Sequence, residues 1–390
     1  MIVAGVMSGT SADGIDVAVV RILAKNRSLG LRLLAHEHFA YPKMVRQSIL
    51  AAMNSSSARV ADLTRLNFLL GELYAEAVAS TLKRSHTNID LVGCHGQTLY
   101  HQGDANSFFG RRIAATWQTG EGSIIAARLG VPVVSDFRPA DMALGGSGAP
   151  LVPLLDVMFY AHRKLFRVLQ NLGGIGNLTI IPPGSSLENM KRVIAFDTGP
   201  GNMVMDACAE RLFHKPYDAR GAIAARGRVV DMALKRALEH PFFRRKPPKS
   251  AGREEFGREF VAEFLSWCGS RARKADVMST ATALTATSIG MALRQGIAIA
   301  KVAPSELKGA EYVVSGGGVK NPTLMRMIAD QVKPLGFRIR TSDELGLPSQ
   351  AKEAVAFALL AYRTWHRQAG NVPTATGARR NAILGKISYA

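Results

Sequence analysis

The chain has 390 residues, of which 47% are hydrophobic and 20% are charged, so it suits two globular domains and excludes a disordered or fibrous protein. Its net charge of +19 comes from Lys and Arg residues spread along the chain, without zinc-finger spacing or aromatic-basic interleaving. That pattern favours a basic solvated surface, attractive to anionic substrates, over a specific nucleic-acid binder. Three scattered cysteines and the lack of a run of about 18 apolar residues predict a cytoplasmic protein with no disulfide framework and no membrane partner.

The first predicted elements form a hairpin-like unit that recurs later in the chain. Each unit has two apolar arms joined by small residues, and the four arms are 2–7, 15–22, 166–169 and 178–181. Gly9 in the first bend and Gly174 in the second are 165 residues apart, about one domain length. The recurrence predicts duplicated lobes that each begin with the same hairpin.

The segments between and after the hairpins alternate between helical and strand-like patterns. Apolar residues at three- and four-residue steps, or apolar-rich composition, predict helices at 63–77, 229–238, 282–300 and 352–365. Short apolar runs predict strands at 91–94, 131–134 and 312–314. This alternation is typical of the α/β class.

The first bend, residues 8–16, carries groups suited to a polyphosphate. Its glycines permit close approach of the backbone, and its hydroxyl and amide groups can bind phosphate oxygens. Asp13 and Asp16 could hold Mg²⁺ directly or through water, because this ion prefers oxygen ligands and keeps several waters. Glycine and aspartate are also routine in ordinary tight hairpins. The recurrence at Gly173 and Gly174 favours two opposed hairpins that clamp a polyphosphate.

A strand-like run ends in Asp197 and continues into the turn Gly199-Pro200-Gly201. A carboxylate at the carboxyl end of a strand, where open α/β sheets place ligands, suits general-base work or metal binding. Asp197 could instead cap the turn. The turn is not a dinucleotide-binding fingerprint, because Val204 stands where its third glycine should be.

Polar side chains at other strand ends suit a polyhydroxylated ligand. His95, Gln97 and Thr98 follow one predicted strand, and Gln118 and Arg138 lie further along. The Arg138 guanidinium could bind a substrate carboxylate in a bidentate manner, or it could pair with a neighbouring carboxylate. His95 could equally have a structural role.

A later strand runs into Gly316, Gly317 and Gly318, followed by Asn321 and a helix predicted to begin near Pro322. Such glycines would let a base or a ribose lie against the backbone. The sequence has no Walker loop. Paired glycine hairpins with a late triple-glycine turn indicate the class of ATPases that includes actin, hexokinase and heat-shock protein 70.

Eight segments resemble, in order, those of the anhydro-N-acetylmuramic acid kinase family. They are GVMSGTSADGID, GCHGQT, DFRPADMALGGSGAPLVP, NLGGIGNLT, FDTGPGNMVMDA, KPYDARG, PPKSAGREEF and SGGGVKNP. The resemblance runs from Gly5 to the closing ATGARRNAILGKI, which is essentially the whole chain. It implies a two-lobed actin-like (ribonuclease H-like) α/β fold with a central nucleotide cleft, usually a homodimer, that uses ATP and Mg²⁺.

The family resemblance also implies an activity and a set of site residues. Its members hydrolyse the 1,6-anhydro bridge of anhydro-N-acetylmuramic acid and phosphorylate the freed O6, giving N-acetylmuramic acid 6-phosphate in peptidoglycan recycling. Asp197 would be the catalytic base, Glu353 would help place the attacking water, and Asp13 and Asp16 would hold the metal. The residues expected to contact ATP are Gly9, Thr10, Ser11, Ala12, Asp13, Gly14, Ile15, Asp16, Gly173, Gly174, Gly199, Gly316, Gly317, Gly318 and Asn321. Those expected to contact the sugar are His95, Gln97, Thr98, Gln118 and Arg138.

The lobe boundaries and two other functions complete the expectations. We expect one lobe at 1–137, completed by 366–390, and the other at 138–365. A kinase for another amino sugar would share the ATP segments and differ around His95, Gln118 and Arg138. A non-catalytic actin-like ATPase is disfavoured, because the polar strand ends are typical of small-molecule sites.

Overall fold

The computed structural model describes residues 1–9, 11–25, 28–53, 55 and 57–390. These residues form two compact units, Met1–Phe159 with Gln350–Ala390, and Tyr160–Ser349. The boundaries differ from the predicted ones, because residues 138–159 and 350–365 belong to the first unit. The physical reason is packing, since the helix Lys352–Trp365 lies against the N-terminal strand Ile2–Ser8.

The strands and helices alternate along the chain, as the sequence predicts. The strands are β1 Ile2–Ser8, β2 Gly14–Lys25, β3 Ser28–Ala40, β4 Leu91–Phe108, β5 Arg111–Thr119, β6 Val133–Ser135, β7 Arg167–Leu172, β8 Ile175–Ile181, β9 Ile194–Pro200, β10 Glu311–Ser315, β11 Arg338–Thr341 and β12 Lys386–Ser388. The α-helices are α1 Lys43–Ala52, α2 Val60–Ser85, α3 Gly122–Leu129, α4 Phe137–Ala143, α5 Pro153–Tyr160, α6 Met203–Phe213, α7 Asp231–Leu238, α8 Pro241–Arg244, α9 Arg253–Phe256, α10 Arg258–Cys268, α11 Lys274–Ile299, α12 Pro322–Val332, α13 Lys352–Trp365 and α14 Pro373–Thr376.

The first unit is built on a mixed sheet with the strand order β12-β6-β4-β1-β2-β3, and β5 pairs with β4. Strands β1 and β2 are antiparallel, whereas β4 lies parallel to β1. Helix α2 contributes Leu66, Leu70 and Tyr74 to the core on one face. Helix α13 packs against β1, β2 and β4, and it approaches closely because Gly5 and Gly93 have no side chain to obstruct it.

The second unit is built on a sheet with the order β11-β10-β7-β8-β9. Here β7 and β8 are antiparallel, and β10 lies parallel to β7. The long helix α11 is buried along most of its length. Its small hydroxyl residues satisfy backbone groups within the packed layer, as when Thr285 Oγ1 donates to Gly201 O at 2.8 Å.

The two units therefore repeat one strand topology. In each, the first strand of the hairpin lies inside the sheet, the second strand runs antiparallel to it, and a later strand joins the first in parallel. This confirms the predicted duplicated α/β architecture of the actin-like, ribonuclease H-like type.

Strand β4 is the largest departure from the predicted elements. Residues 91–94 were expected as a short strand, but β4 continues to Phe108 and returns through β5 as a long hairpin. Polar residues such as Gln102, Asp104 and Asn106 give this segment little strand signal, and the pairing with β5 decides its conformation.

Among the described residues, no helix combines the length and the apolar character needed to cross a bilayer.

Candidate active site

The bend of the first hairpin has room for a ligand beside Gly9. Within the bend, the Ala12 N–H donates to Gly9 O at 3.1 Å, and Ser11 Oγ donates to Asp13 Oδ1 at 2.7 Å. Among the described residues, the one atom within 4 Å of a Cβ built on Gly9 is the Ser11 hydroxyl oxygen, at 3.7 Å. The backbone at Gly9 is therefore open to a phosphate. Thr10 lies outside the described residues.

Three residues that the sequence predicts to contact ligands, Gln97, Gly14 and Ile15, have structural contacts at this bend. Gln97 is buried, donates Nε2 to Gly9 O at 3.1 Å and accepts from Ser8 Oγ at 2.6 Å. Ile15 packs in the core, and a side chain on Gly14 would lie 2.7 Å from the His38 ring. Gln97 thus positions the bend, and Gly14 and Ile15 have only backbone atoms to offer a nucleotide.

The second hairpin turns at Gly173 and Gly174, and both carbonyl groups face the segment after β9. Gly173 O accepts from the Asn202 N–H at 2.8 Å, and Gly174 O accepts from the Gly201 N–H at 2.9 Å. In the part of the chain that the structure describes, a Cβ built on Gly174 would have one neighbour within 4 Å, Met203 Cε at 3.8 Å. The outer side of this bend is therefore also open.

The triple-glycine turn lies beside the second hairpin. A side chain on Gly318 would lie 2.7 Å from Leu172 Cβ, and one on Gly316 would lie 2.7 Å from Asn171 Oδ1. Gly317 is less enclosed, since a side chain there would meet only the Asn202 amide, at 3.9 Å. The second unit thus brings together two glycine segments that are distant in sequence.

Two other predicted nucleotide residues have structural contacts of their own. Asn321 caps helix α12, and its Oδ1 accepts from the Leu324 N–H at 3.0 Å. Gly199 has a φ of +127°, and a side chain there would lie 2.7 Å from the Phe243 ring. Glycine at 199 therefore serves the backbone conformation and the packing of Phe243.

Asp197 lies on β9 and is held by the loop that precedes α9. Its N–H donates to Lys249 O at 3.0 Å, and its Oδ2 accepts from the Ala251 N–H at 2.8 Å. Its neighbours Phe196 and Thr198 are buried on the opposite side of the strand. The carboxylate is consequently fixed in orientation.

Lys249 is a charged neighbour of Asp197 that the sequence reasoning did not single out. Burial, together with the charge of Arg245, lowers the pKa of Lys249 to about 8, and the Asp197 charge opposes that shift. The ammonium lies 4.7 Å from the centre of the Phe242 ring. The signal that could have found it is its place in the segment PPKSAGREEF.

In the first unit, His95 and Arg138 form a buried pair. His95 Nε2 accepts from Arg138 Nη2 at 2.8 Å and Nε at 3.2 Å, and its Nδ1 lies 2.7 Å from Gly96 O. Burial and the Arg138 charge hold the pKa of His95 well below its usual range. His95 is therefore neutral, with its proton on Nδ1 donated to Gly96 O.

Glu353 lies in the first turn of α13, among several charged residues. Burial raises the pKa of Glu353, and the negative charges of Asp16 and Asp13 add to this, while Lys352 and Arg138 oppose it. Burial also lowers the pKa of Arg138 to about 10, although the Glu353 charge supports its ionised form. The structure thus couples Glu353 electrostatically to Arg138 and to both predicted metal ligands, none of which is near it in sequence.

Asp13 and Asp16, the predicted metal ligands, could hold a hard cation only if other oxygen atoms completed its coordination. Asp16 Oδ1 lies 3.1 Å from His36 Nε2 and 3.2 Å from His38 Nδ1. In the part of the chain that the structure describes, no three acidic, histidine or cysteine side chains are arranged to hold a metal. Mg²⁺ accepts waters and phosphate oxygens as ligands, so the Asp13 and Asp16 carboxylates remain compatible with it. A dication there would also offset the charges of Asp16 and Asp13, which add to the effect of burial on the pKa of Glu353.

Thr98 and Gln118 belong to a polar network at the base of the β4–β5 hairpin. Gln118 Nε2 donates to Thr98 Oγ1 at 3.2 Å and to Thr116 Oγ1 at 2.8 Å, and Thr116 Oγ1 lies 3.0 Å from His101 Nδ1. His101 Nε2 is buried without a hydrogen-bond partner among the described residues. Burial, followed by the Arg138 charge, lowers the pKa of His101 to about 4.

A cavity of about 230 Å³ lies in the first unit and includes two of the predicted sugar residues, His95 and Gln118. Asn67, Trp117 and Lys386 also line it. Gln97, Thr98 and Arg138 are not among its lining residues. A tryptophan beside amide and charged residues is a composition that suits a sugar ring.

Asp141 organises the loop that supports Arg138. Its carboxylate accepts from the Gly148 N–H at 2.9 Å, Asn371 Nδ2 at 2.8 Å and Thr376 Oγ1 at 2.7 Å. Gly148 O in turn accepts from Arg138 Nη1 at 2.7 Å. The C-terminal segment thus fixes a predicted site residue through Asp141, a connection that sequence spacing does not reveal.

Comparison with known proteins gives the family. The family profile described as anhydro-N-acetylmuramic acid kinase matches residues 1–390. Anhydro-N-acetylmuramic acid kinase of Bacillus cereus strain AH187 is 43% identical over 392 aligned positions, which cover 100% of this chain and 99% of that protein. The protein of the same description from Bacillus thuringiensis subsp. konkukian strain 97-27 is 42% identical, with 100% of this chain and 99% of that protein covered.

Among solved structures, the ROK hexokinase of Thermus thermophilus is similar at a TM-score of 0.42 and 13% identity, over 94% of this chain and 100% of that one. The family assignment rests on the sequence matches, which extend over the whole chain. The chain belongs to the anhydro-N-acetylmuramic acid kinase family.

Proposed function

We propose that the protein is an ATP-dependent kinase that opens 1,6-anhydro-N-acetylmuramic acid with water and phosphorylates O6. The products would be N-acetylmuramic acid 6-phosphate and ADP, as in the recycling of peptidoglycan. The observation that carries the proposal is the family match over residues 1–390, with relatives 43% identical across the whole chain. A kinase for another amino sugar and a non-catalytic ATPase are not favoured by that match.

The bond changes balance without a further reactant. The oxygen of water attacks C1, the C1–O6 bond breaks, and O6 attacks the γ-phosphorus of ATP. The bond from that phosphorus to the β–γ bridging oxygen then breaks and releases ADP. One proton of the water passes to a base and from there to solvent, and the other stays on the new C1 hydroxyl.

Asp197 is the base in this proposal. The Ala251 N–H fixes its Oδ2, so the carboxylate is oriented before the substrate arrives. The Lys249 ammonium offsets the negative charge of Asp197, and its pKa of about 8 leaves it mostly protonated at neutral pH. Together these contacts support a base of fixed orientation and balanced charge.

Glu353 and Arg138 would orient water and sugar. Because burial raises the pKa of Glu353, a proton on this carboxyl group costs less than usual, so the group can donate as well as accept. Arg138 would direct unused N–H groups at the lactyl carboxylate of the substrate. His95, which accepts from Arg138, holds the guanidinium in place.

The nucleotide contacts are assigned to the open glycine bends. The backbone at Gly9, Gly173 and Gly174 would bind phosphate oxygens, and Gly316–318 would flank the adenosine. Mg²⁺, held by Asp13 and Asp16 directly or through water, would offset the charge of the phosphates. The family resemblance further supports a homodimer and a cytoplasmic location as parts of the proposal.

The proposal is tested by an ADP-release assay with ATP, Mg²⁺ and 1,6-anhydro-N-acetylmuramic acid, with the sugar product weighed by mass spectrometry. We expect a product heavier than the substrate by one phosphoryl group and one water. ADP release with other amino sugars but not with this one would contradict the substrate assignment. Hydrolysis of ATP without any sugar turnover would contradict the kinase itself.

A further inference from the structure

The β4–β5 hairpin extends beyond the sheet of the first unit as an arm, defined here as residues 98–119. Strand β4 pairs with β1 and β6 only as far as Gln97, and within the described chain its residues from Thr98 to Phe108 pair with β5 alone. At about 3.3 Å per residue, this stretch is roughly 30 Å long. The base of the arm carries the Thr98–Gln118 network, and its far end is the turn at 109–110.

Two aromatic side chains form the end of the arm. Phe108 is 60% exposed and Phe109 is 93% exposed. Their rings are arranged edge to face, with the ring centres 4.5 Å apart. Isolated exposed apolar residues are common, but two adjacent phenylalanines at the tip of a hairpin form a contiguous apolar surface. No core packing among the described residues of the first unit accounts for rings this exposed.

The turn itself does not explain Phe109 either. Phe109 and Gly110 have φ values of +46° and +75°, as in a two-residue hairpin turn with both central residues left-handed. Asn, Asp or Gly is favoured at the first of these positions, and a bulky residue there is disfavoured. Phe109 is therefore unfavourable both for the backbone and for exposure to water, which indicates that its side chain contacts something outside the chain.

The residues next to the rings are basic. Arg111 and Arg112 follow the turn, both exposed, and the one acidic residue of the arm, Asp104, lies four positions before Phe108. The whole chain has a net charge of +19. Both the tip and the whole chain are basic, so the tip attracts an anionic surface.

We propose that the tip of the arm, Phe108, Phe109, Arg111 and Arg112, docks on an anionic lipid surface. The two rings enter the boundary between headgroups and acyl chains, and the two guanidinium groups pair with lipid phosphates. This contact requires no spanning helix, and it replaces the expectation from sequence that the protein has no membrane partner. It does not depend on the proposed kinase activity.

The test is co-sedimentation of the full-length protein with vesicles of phosphatidylcholine alone and with vesicles that also contain phosphatidylglycerol. Wild type is expected to sediment with the anionic vesicles and to be released by salt. Phe108→Ser combined with Phe109→Asn, which suits the turn, should weaken the partition at least tenfold. Arg111→Gln and Arg112→Gln should each weaken it on the order of fivefold. Phe68→Ser and Arg65→Gln, exposed positions on α2, are matched controls that should leave it unchanged.

Three results would overturn the proposal. The first is no sedimentation of wild type with anionic vesicles, or sedimentation that the tip variants do not change. The second is a shift of the Phe108→Ser, Phe109→Asn variant from dimer to monomer in light scattering with lipid binding intact, which would make the tip an interface between copies. The third is that the tip variants lose binding to single-stranded DNA and do not lose binding to lipid. The circular-dichroism spectrum and the thermal midpoint should stay at the wild-type values in every variant, which verifies that each is folded.

Discussion

His95 and Arg138 show how single residues in the first unit change each other's ionisation. The Arg138 charge and burial keep His95 neutral, and His95 in turn accepts two hydrogen bonds that hold the guanidinium. The surroundings of Asp197 are different, because a backbone N–H orients its carboxylate and the Lys249 ammonium lies nearby. Each of these effects depends on neighbours that are distant in sequence.

The central single-residue prediction concerns Asp197. Asp197→Asn keeps the size of the side chain and a hydrogen-bond acceptor for Ala251, but it cannot take a proton from water. We expect the turnover rate to fall roughly 10²–10⁴-fold while ATP affinity stays close to wild type. Steady-state kinetics and calorimetric ATP titration measure the two quantities. Asp231→Asn, a change in the first turn of α7, is the control, and a near-normal rate for Asp197→Asn would remove Asp197 from the role of base.

A second single-residue prediction concerns pH. Since burial lowers the pKa of His101 to about 4 in the folded protein, the unfolded chain binds more protons between the ordinary value of about 6.5 and pH 4. Stability should therefore fall as the pH falls through that window. The thermal midpoint of His101→Gln should fall less than that of wild type between pH 6.5 and pH 4. The exposed substitution His366→Gln is the control, and identical pH profiles for wild type and His101→Gln would show that His101 is not buried as described.

At the scale of elements, the glycines of β1, β4 and the first bend fall into two groups, those that allow packing and one that leaves room for a ligand. Gly5 and Gly93 lie under α13, where any side chain would press on the helix. Gly9 lies in the bend, where a Cβ would have only the Ser11 hydroxyl near it among the described residues. The first two therefore serve packing, and the third is free to serve a ligand.

The variant Gly9→Val tests whether the first bend binds the phosphates of ATP. A Cβ at position 9 lies no closer than 3.7 Å to the described residues around it, so we expect the variant to keep its thermal stability while the added methyl groups exclude phosphates from the backbone. We expect ATP affinity to fall at least tenfold. Gly30→Val on β3, where the nearest atoms to an added side chain are 3.8 Å away, is the matched control. Unchanged ATP affinity in Gly9→Val would contradict the assignment of this bend to phosphates.

The variant Gly93→Ala tests the packing of α13 against β4. Its methyl group would lie 2.7 Å from Ala361 Cβ, so α13 must move away from the sheet. We expect a loss of about 1–3 kcal/mol in the free energy of unfolding, measured by urea denaturation. Gly30→Ala should cost much less. An equal cost for both would mean that α13 does not lie directly on β4.

At the scale of the whole chain, the sequence predicts what repeats locally and misses what depends on distant partners. The two hairpins, α13 and the strand before Gly316 are confirmed because each has its own pattern of apolar residues and glycines. The lengths of β4 and β5 could not be predicted, because the polar residues of the arm take the strand conformation only by pairing with each other. The unit boundaries were missed for a related reason, since α13 belongs to a sheet whose first strands lie more than 300 residues earlier in the chain.

Within the candidate site, local sequence patterns indicate some residues and not others. Glycine bends and strand-end polar residues can be found from local patterns, so Gly173, Gly174 and Gly316–318 were singled out and do lie together. The supporting residues Lys249, Asp141 and His101 were not, because their roles arise from hydrogen bonds and burial rather than from spacing. The nucleotide cleft between the lobes stays a prediction.

The most direct test of the central claim is to run the reaction in ¹⁸O-labelled water and locate the label by mass spectrometry within the first turnovers. The account predicts one labelled oxygen on C1 of the sugar and none in the transferred phosphoryl group, because water attacks C1 and O6 takes the phosphoryl group. Unlabelled N-acetylmuramic acid 6-phosphate in the same solution controls for exchange at C1. Label in released inorganic phosphate, with the anhydro-sugar unchanged, would contradict the account and leave only ATP hydrolysis.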